Sequence, residues 1–300
     1  MTSPGFLRRR RTIVAVGTAV LVLAVSASAF LVGRATAPGD DPAHPAAAGE
    51  PVTYPKDGFF RSYPLLAETI VEMPSPAVDR AAKDGAVVLV PLDPIEEHGP
   101  HLGLGPDIYL SAFVARVARA ELAGRGTRAV IAPPIYWAVN KETLAWAGSF
   151  AVRASTMEAL LSDVVGSMGD WGFRRFYVVS SHGDPEHVEK LAAAMKAVAK
   201  EHHVSVLQAE VTGELSVPWP GVSSDVHAGA AETSMMAALY PGQVDEATAR
   251  SLEAQSTFVP LGYYGNPAGF DPQGFEPYLR AVGEGLADMI AADVAGNSTS

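Results

Sequence analysis

Short apolar runs rich in β-branched residues alternate with longer helical patterns through most of this 300-residue chain. The runs typical of strands occupy residues 86–92, 129–132, 176–179 and 204–208. Helical patterns occupy residues 106–122, 155–168, 185–200, 228–239 and 277–292, and a capping box opens the second at Ser155. Almost continuously apolar strands separated by helices are typical of parallel sheets covered on both faces. The sequence therefore predicts a three-layer α/β fold, in which helices flank a mainly parallel central sheet.

The first predicted strand runs directly into a polar stretch with carboxylates and histidines. Glu96 and His98 follow the apolar run 86–90, and Asp107 opens the next helix. Side chains two positions apart on an extended chain project to the same side, so Glu96 and His98 can face one site. Carboxylate oxygens beside neutral imidazole are typical of Zn²⁺ and Mn²⁺ sites. We therefore expect a metallohydrolase, although Asp107 alone fits an ordinary helix cap equally well.

A second polar cluster follows the third predicted strand. His182 lies directly after that strand, as His98 lies after the first. Open α/β sheets bind ligands beyond the carboxyl ends of their strands, so the two clusters can share one crevice. Gly183 allows a close backbone approach, and we expect it to contact the substrate. Asp184 precedes a proline and is either a metal ligand or the N-cap of the next helix.

A third cluster opens the helix predicted from residue 228. Asp225, His227 and Glu232 can supply a proton donor and an orienting carboxylate. We expect His227 and Glu232 to be catalytic, and Asp225 to contact the substrate or to steady His227. The alternative is structural: Asp225 caps the helix, Glu232 interacts favourably with the helix dipole, and His227 packs without a chemical role.

The absence of cysteine restricts the chemistry of any metal site. The chain can form no disulfide and offers no thiolate ligand or cysteine nucleophile, so His, Asp and Glu must hold any metal. Charge restricts the partners as well. Beyond residue 36 the chain carries 17 Lys and Arg against 33 Asp and Glu, and such a domain is repelled by nucleic acid and anionic lipid. We therefore expect a small-molecule substrate and no nucleic-acid partner.

The N-terminus has the pattern of an export segment. Four arginines at positions 8–11 precede an uncharged apolar stretch over residues 12–32, which is long enough to cross a bilayer as a helix. We expect residues 1–34 to be a signal-anchor, residues 35–60 a linker, and residues 61–296 a single catalytic domain. The arginines favour the cytoplasmic side, which places the domain outside the cell membrane. The alternative is a cleaved signal peptide and a secreted domain.

Together the three clusters resemble the creatininase (creatinine amidohydrolase) family. The resemblance covers residues 80–290 and is carried by Pro91 to Asp107, by Ser181-His182-Gly183 and by His227 to Ser234. It implies a creatininase-like α/β fold, often assembled as a hexameric homo-oligomer, and a centre of two divalent ions, Zn and/or Mn, that hydrolyses C–N bonds. The resemblance also implies roles for individual residues: Glu96 and His182 on one ion, His98 on the other, Asp107 bridging both, Asp184 as a ligand of the second ion, and His227 in catalysis.

The chain departs from the family pattern at several positions that matter to creatininase chemistry: Thr143, Ser180, Ser181, Asp184, Ser223 and Val226. Asp184 stands where creatininase has a glutamate ligand, and Val226 where it has a glutamate beside the catalytic histidine. We therefore expect the substrate to be an amide or cyclic amide other than creatinine. The alternative is a catalytically degenerate binding protein that retains metal on the same fold.

The resulting hypothesis is metal-assisted amide hydrolysis. A metal-activated water would attack the carbonyl carbon, and His227 would donate a proton to the leaving nitrogen. Glu232 would orient His227 or a metal ligand. A phosphatase is disfavoured, because near the motifs only Lys141, Arg174 and Arg175 are basic and a phosphate needs a more cationic cradle.

Overall fold

The computed structural model describes residues 63–210 and 225–296. The predicted signal-anchor and linker, residues 1–60, lie outside this range, as does the departure at Ser223. Among the described residues, no helix combines the length and the apolar character that a bilayer crossing requires. The division into anchor, linker and catalytic domain therefore stays a prediction.

Within the described residues, four parallel strands form the central sheet in the order β2-β1-β3-β4. Their bounds are β1 Val87–Pro91, β2 Ala129–Ile131, β3 Arg175–Ser180 and β4 Ser205–Glu210. All four predicted strands are confirmed, with ends shifted by one or two residues. β1 pairs with β3 in the middle of the sheet, where Val90 lies beside Val178. The carboxyl ends of these two strands therefore open onto the same edge.

Seven α-helices occupy the described residues: α1 Ser75–Lys83, α2 Pro106–Gly124, α3 Ala154–Trp171, α4 Pro185–His202, α5 Ala230–Leu239, α6 Glu246–Ser251 and α7 Pro272–Gly296. The five predicted helices are present. The sequence pattern misses α6, which is a short helix, and α1, which buries only alanines. The capping box is wrong: α3 begins after Arg153 without a side-chain cap, so Ser155 lies inside its first turn.

Successive residues of each strand face two separate cores. Val87 and Leu89 of β1 pack in the core that includes α2, α5 and α7. Val88 and Val90 pack in the other core, with α1, α3 and α4. All four side chains are buried, because side chains alternate across a strand and helices cover both faces. The predicted three-layer α/β architecture is confirmed.

A buried arginine fixes the start of the described chain against α2. Arg116 is 2% exposed. Its guanidinium donates hydrogen bonds to the carbonyl oxygens of Pro64 (3.0 Å), Leu65 (3.1 Å) and Ala67 (3.2 Å). Buried charge is tolerated only when its hydrogen bonds are satisfied, and here a segment distant in sequence supplies the acceptors. The segment is thereby attached to the same helix that carries Asp107 in its first turn.

Candidate metal centre

Five ionisable side chains from four parts of the chain converge beyond the carboxyl edge of the sheet. Glu96 and His98 lie on the loop after β1, Asp107 in the first turn of α2, His182 directly after β3, and Glu232 in the first turn of α5. All except Glu232 are less than a tenth exposed. The neighbouring positions of β1 and β3 in the sheet bring the first two predicted clusters together, in agreement with the prediction that they share one crevice.

Glu96 and Asp107 lie between two histidines. Nδ1 of His182 is 3.3 Å from Oε1 of Glu96 and 3.5 Å from Oδ2 of Asp107. Nε2 of His98 is 3.8 Å from Oε1 of Glu96 and 3.9 Å from Oδ1 of Asp107. Each carboxylate therefore faces both imidazoles.

Three sets of side chains could each hold a divalent ion, because their ligand atoms lie within 4.8 Å of one another: Glu96, Asp107 and His182; His98, Asp107 and Glu232; and Glu96, His98 and His227. Nε2 of His98 and Oδ2 of Asp107, which both face this centre, are buried without a hydrogen-bond partner. Buried polar atoms are almost always paired, so this set of unpaired atoms indicates a missing charged ligand. The donor chemistry fits Zn²⁺ or Mn²⁺.

The ionisation states of His98 and Glu96 are those that bind metal. Burial and the nearby His227 together lower the pKa of His98 to about 3, so the ring is neutral. Burial raises the pKa of Glu96, but His182 and His227 lower it, and the net direction is downward. A metal ligand must be a neutral imidazole or an ionised carboxylate, and His98 and Glu96 meet this condition. Burial lowers the pKa of His182, but Glu96 and Asp107 raise it well above its usual value. Burial raises the pKa of Glu232 to about 7. An ion would therefore displace a proton from each of these two residues.

His227 faces the same centre from the loop before α5. Its Nε2 lies 2.6 Å from the carbonyl oxygen of Glu97 and donates to it, while its Nδ1 is 3.5 Å from Oε1 of Glu96. The ring is 5.5 Å from that of Phe258, and backbone hydrogen bonds in both directions join His227 to Tyr264. Burial lowers the pKa of His227, but Glu96 and other carboxylates raise it, with a net upward direction. A fixed imidazole with one nitrogen free towards the centre can donate a proton there.

A pocket of about 570 Å³ opens beside these side chains. Its lining includes Gly183, Asp225, Val226 and Phe258. The glycine and the aspartate predicted to contact the substrate therefore line the pocket, and the contact itself stays a prediction. No Lys or Arg lies among the described residues that line it.

The family model for creatininase, described as creatinine amidohydrolase, matches residues 71–290. The chain belongs to the creatininase family. It is therefore a hydrolase of the metal-dependent amidohydrolase class, and the family resemblance expected from the three clusters is confirmed.

Relatives and solved structures agree with this membership. A mycofactocin precursor peptide peptidase from Mycolicibacterium smegmatis is 30% identical over 212 residues, which cover 68% of this chain and 81% of the relative. A manganese form of creatininase superposes with a TM-score of 0.66 at 19% identity, over 75% of this chain and 98% of the other. A zinc–zinc form of a creatininase mutant superposes with a TM-score of 0.59 at 19% identity, over 75% and 97% of the two chains. The solved structures establish the creatininase-like fold.

Thr143, which departs from the creatininase pattern, positions Glu96. Its Oγ1 lies 2.7 Å from Oε2 of Glu96 and 3.0 Å from the side-chain oxygen of Asn140. Ser149 donates to the same Oγ1 at 2.9 Å and accepts the N–H of Glu97 at 3.0 Å. A carboxylate that binds metal is usually oriented by such hydrogen bonds. The hydroxyl of Thr143 therefore contributes to the centre through Glu96.

Asp93 is a supporting residue that the sequence pattern did not reveal. Its Oδ1 accepts hydrogen bonds from the hydroxyl of Ser180 (2.7 Å), from the N–H of Ser181 (3.0 Å) and from the N–H of His182 (3.1 Å). Burial, with Asp107, raises the pKa of Asp93 to about 7. These bonds hold the turn that carries His182. A polar residue directly after a buried strand is the signal that could have indicated it.

Asp225 joins the start of α5 to a distant loop. Its Oδ2 accepts the N–H of Ala231 at 2.8 Å, and its Oδ1 accepts the N–H of Asn266 at 3.0 Å. A Cβ on Gly229 or Gly265 would clash with this carboxylate, so both positions need glycine. The contacts fit both expectations for Asp225: it accepts a first-turn N–H of α5, as a helix cap would, and it steadies the segment that contains His227.

Asp184 lies in the pocket wall, outside the three possible ligand sets. Its Oδ2 accepts the N–H groups of Lys141 (2.6 Å) and Glu142 (3.1 Å). Its Oδ1 accepts those of Glu186 (2.8 Å) and His187 (3.4 Å) in the first turn of α4. The aspartate is thus the N-cap of α4, the alternative left open by the sequence. Its role as a metal ligand stays a prediction.

Proposed function

We propose that this creatininase-family hydrolase uses two divalent ions, Zn and/or Mn, to cleave a C–N bond in a small amide or a short peptide. The observation that carries the proposal is the convergence of buried, unpaired imidazole and carboxylate atoms beside an open pocket. Glu96, His98, Asp107 and His182 would hold the ions. Homo-oligomeric assembly, which the family resemblance implies, stays a prediction.

The chain's own residues would position and protonate the substrate. When bound, divalent ions supply Lewis-acid polarisation of a carbonyl and a water that ionises near neutral pH. His227 would hold a proton at Nδ1, the nitrogen that faces Glu96, and donate it to the leaving nitrogen. The carbonyl of Glu97, bound to Nε2, fixes the orientation of the ring. Phe258 packs beside this ring and shields that side from water.

The pocket favours a neutral or cationic substrate over creatine-like zwitterions and free acids. Its lining contains the carboxylates of Glu142, Asp184 and Asp225 in addition to the metal-binding groups, without a Lys or Arg among its described residues. Val226, which replaces a glutamate of creatininase, is 60% exposed and gives the rim an apolar part. A relative that acts on a precursor peptide supports a peptide or linear amide as the substrate.

The test is a substrate screen with controlled metal content. The full-length chain, purified in mild detergent and stripped with EDTA, would be reloaded with Zn²⁺ or Mn²⁺ and offered short peptides, linear amides, lactams and creatinine. We expect turnover of a peptide or linear amide at least about tenfold faster than that of creatinine, a preference of roughly 1.4 kcal/mol, and no turnover in the stripped protein. A metal-loaded protein that binds panel members tightly but hydrolyses none would favour the degenerate binding protein.

We also propose that residues 1–34 anchor the protein in the cell membrane with the catalytic domain outside. The tetra-arginine flank and the uncharged stretch after it support this proposal. We expect the full-length chain in the membrane fraction, with its domain accessible to protease added to spheroplasts, and a variant without residues 1–34 in the cytosol. Protection of the full-length chain from protease in intact spheroplasts would refute the orientation. If cells that express the full-length chain release a shorter product into the medium, the cleaved signal peptide would be favoured.

A further inference from the structure

His182 lacks the support that usually fixes a metal-binding imidazole. Its Nδ1 faces the centre, 3.3 Å from Oε1 of Glu96 and 3.5 Å from Oδ2 of Asp107. Nε2, the other ring nitrogen, is buried and has no hydrogen-bond partner among the described residues. A histidine that binds metal usually donates its second N–H to a carboxylate or a carbonyl, and that bond orients the ring. The orientation of His182 must therefore come from other contacts.

Three buried side chains beside His182 form a hydrogen-bonded chain. Oδ1 of Asp93 accepts the N–H groups of Ser181 at 3.0 Å and His182 at 3.1 Å, so this oxygen is an acceptor. The hydroxyl of Ser180 therefore donates its proton to the same oxygen, at 2.7 Å. The oxygen of Ser180 is left to accept the N–H at Nε2 of His187, at 3.1 Å. The chain thus joins the His187 ring, through Ser180 and Asp93, to the backbone of His182.

His187 also packs against the ring of His182. The two ring centroids are 5.1 Å apart, with an interplanar angle of 68°. His187 is fully buried in the first turn of α4, and its own N–H donates to Oδ1 of Asp184 at 3.4 Å. The same imidazole therefore contacts the side of His182 and, through hydrogen bonds, restrains the backbone that carries it.

Two of the departures from the family pattern, Ser180 and Ser181, supply contacts around His182. Ser180 links His187 to Asp93, as described above. The hydroxyl of Ser181 donates to the backbone carbonyl of Asp107 at 2.9 Å, which ties the turn after β3 to the first turn of α2. Both serines are buried. These departures therefore hold His182 and Asp107 in position with bonds that an alanine at either position could not make.

We propose that Ser180 and His187 are positioning residues that, together with Asp93, hold the His182 imidazole in the orientation that binds a metal ion. The inference rests on the proposed metal centre and assigns a role to residues outside its ligands. A buried hydrogen-bond network rigidifies its surroundings only when every member has a partner. Loss of one link should therefore leave the ring of His182 less fixed and its ion more weakly bound.

The experiment measures zinc affinity in variants of the two linking residues. The full-length chain, Ser180→Ala and His187→Phe would be stripped of metal, and Zn²⁺ binding would be followed by competition with a chromophoric chelator. Phenylalanine keeps a ring beside His182 but cannot donate to Ser180. We expect one zinc dissociation constant to rise about 10–100-fold in each variant. The double variant should show no larger rise, because both changes break the same link. Ser180→Thr keeps the hydroxyl and should retain the affinity.

Tyr177→Phe controls for a general loss of stability. It removes a hydrogen bond of 2.6 Å, between the hydroxyl of Tyr177 and Asp293, from the same strand as Ser180. We expect Tyr177→Phe and Ser180→Ala to have lower unfolding temperatures than the unmodified chain, and only Ser180→Ala to bind zinc more weakly.

The outcomes distinguish this inference from the proposed function. An unchanged zinc affinity in Ser180→Ala, or additive losses in the double variant, would overturn the inference while the proposed metal centre stands. An unmodified chain that binds no zinc would overturn the metal centre and the inference together. The measurement needs no turnover, so its result does not depend on the identity of the substrate.

Discussion

Replacing Glu96 by glutamine is expected to remove metal binding and turnover together. Glu96 faces His98, His182 and His227 at 3.3–3.8 Å and belongs to two of the possible ligand sets. Even residues that only orient metal ligands typically contribute 10–100-fold to affinity, so loss of a direct ligand should exceed that range. Loss of metal removes several kcal/mol of transition-state stabilisation, which corresponds to a fall in kcat/KM of about 10³-fold or more.

Glu97→Gln is a matched control for this change, because it alters the adjacent residue in the same way. The carboxylate of Glu97 accepts the N–H of Gly99 at 2.5 Å and lies against Gly262. It belongs to none of the possible ligand sets among the described residues. We expect Glu97→Gln to retain its metal content and most of its activity. Metal content and kcat/KM would be measured on both variants, and a fully active Glu96→Gln protein would refute the assignment.

Replacing His227 by alanine is expected to lower kcat by about 10²–10⁴-fold, the contribution typical of a positioned general acid, while metal content and KM change little. The proposed proton donor faces the centre through Nδ1, and the opposite nitrogen is held by a backbone carbonyl. Added imidazole should restore part of the lost rate, because it can enter the space left by the ring. Steady-state kinetics with and without imidazole, beside the zinc content, measure all three effects.

A control for the loss of a buried ring is His101→Ala. Nε2 of His101 lies 2.8 Å from Oγ1 of Thr233, and its ring meets Tyr263 edge to face. His101 is buried like His227 but belongs to none of the ligand sets found in the described residues. Replacing His101 by alanine should lower the free energy of unfolding. Added imidazole should not raise the kcat of this variant. If His227→Ala instead loses an equivalent of zinc, His227 is a ligand, as the set with Glu96 and His98 permits.

The sequence predicts the sheet and the meeting of the first two clusters because both depend on local patterns. Each strand is a short apolar run, and parallel connection places all carboxyl ends at one edge. The amino-acid pattern is therefore enough to assign His98 and His182 to one site. Helix α1 could not be predicted with equal ease, since its buried face consists of alanines that give little contrast with a loop.

The roles of Asp184 and Thr143 depend on contacts that a local pattern does not contain. Lys141 and Glu142 donate to Asp184 from more than 40 positions away in sequence. The hydroxyl of Thr143 meets Glu96 across 47 positions. Both contacts depend on the path of the loop between β2 and α3, which periodicity does not specify. The sequence consequently leaves the cap and the ligand open at Asp184, and the cap becomes evident only from the backbone groups that donate to its carboxylate.

The attachment of the chain's first described residues to Arg116 has a practical consequence for shortening the protein. Arg116 and Asp107 lie on one helix, nine residues apart, or roughly 14 Å along its axis. A truncation that removes Pro64, Leu65 and Ala67 would leave the guanidinium buried without its acceptors, and α2 would transmit that disturbance to the carboxylate at its first turn. A shortened chain for crystallisation should therefore begin no later than Tyr63. Removing only the residues before Tyr63 leaves the three acceptors of Arg116 in place.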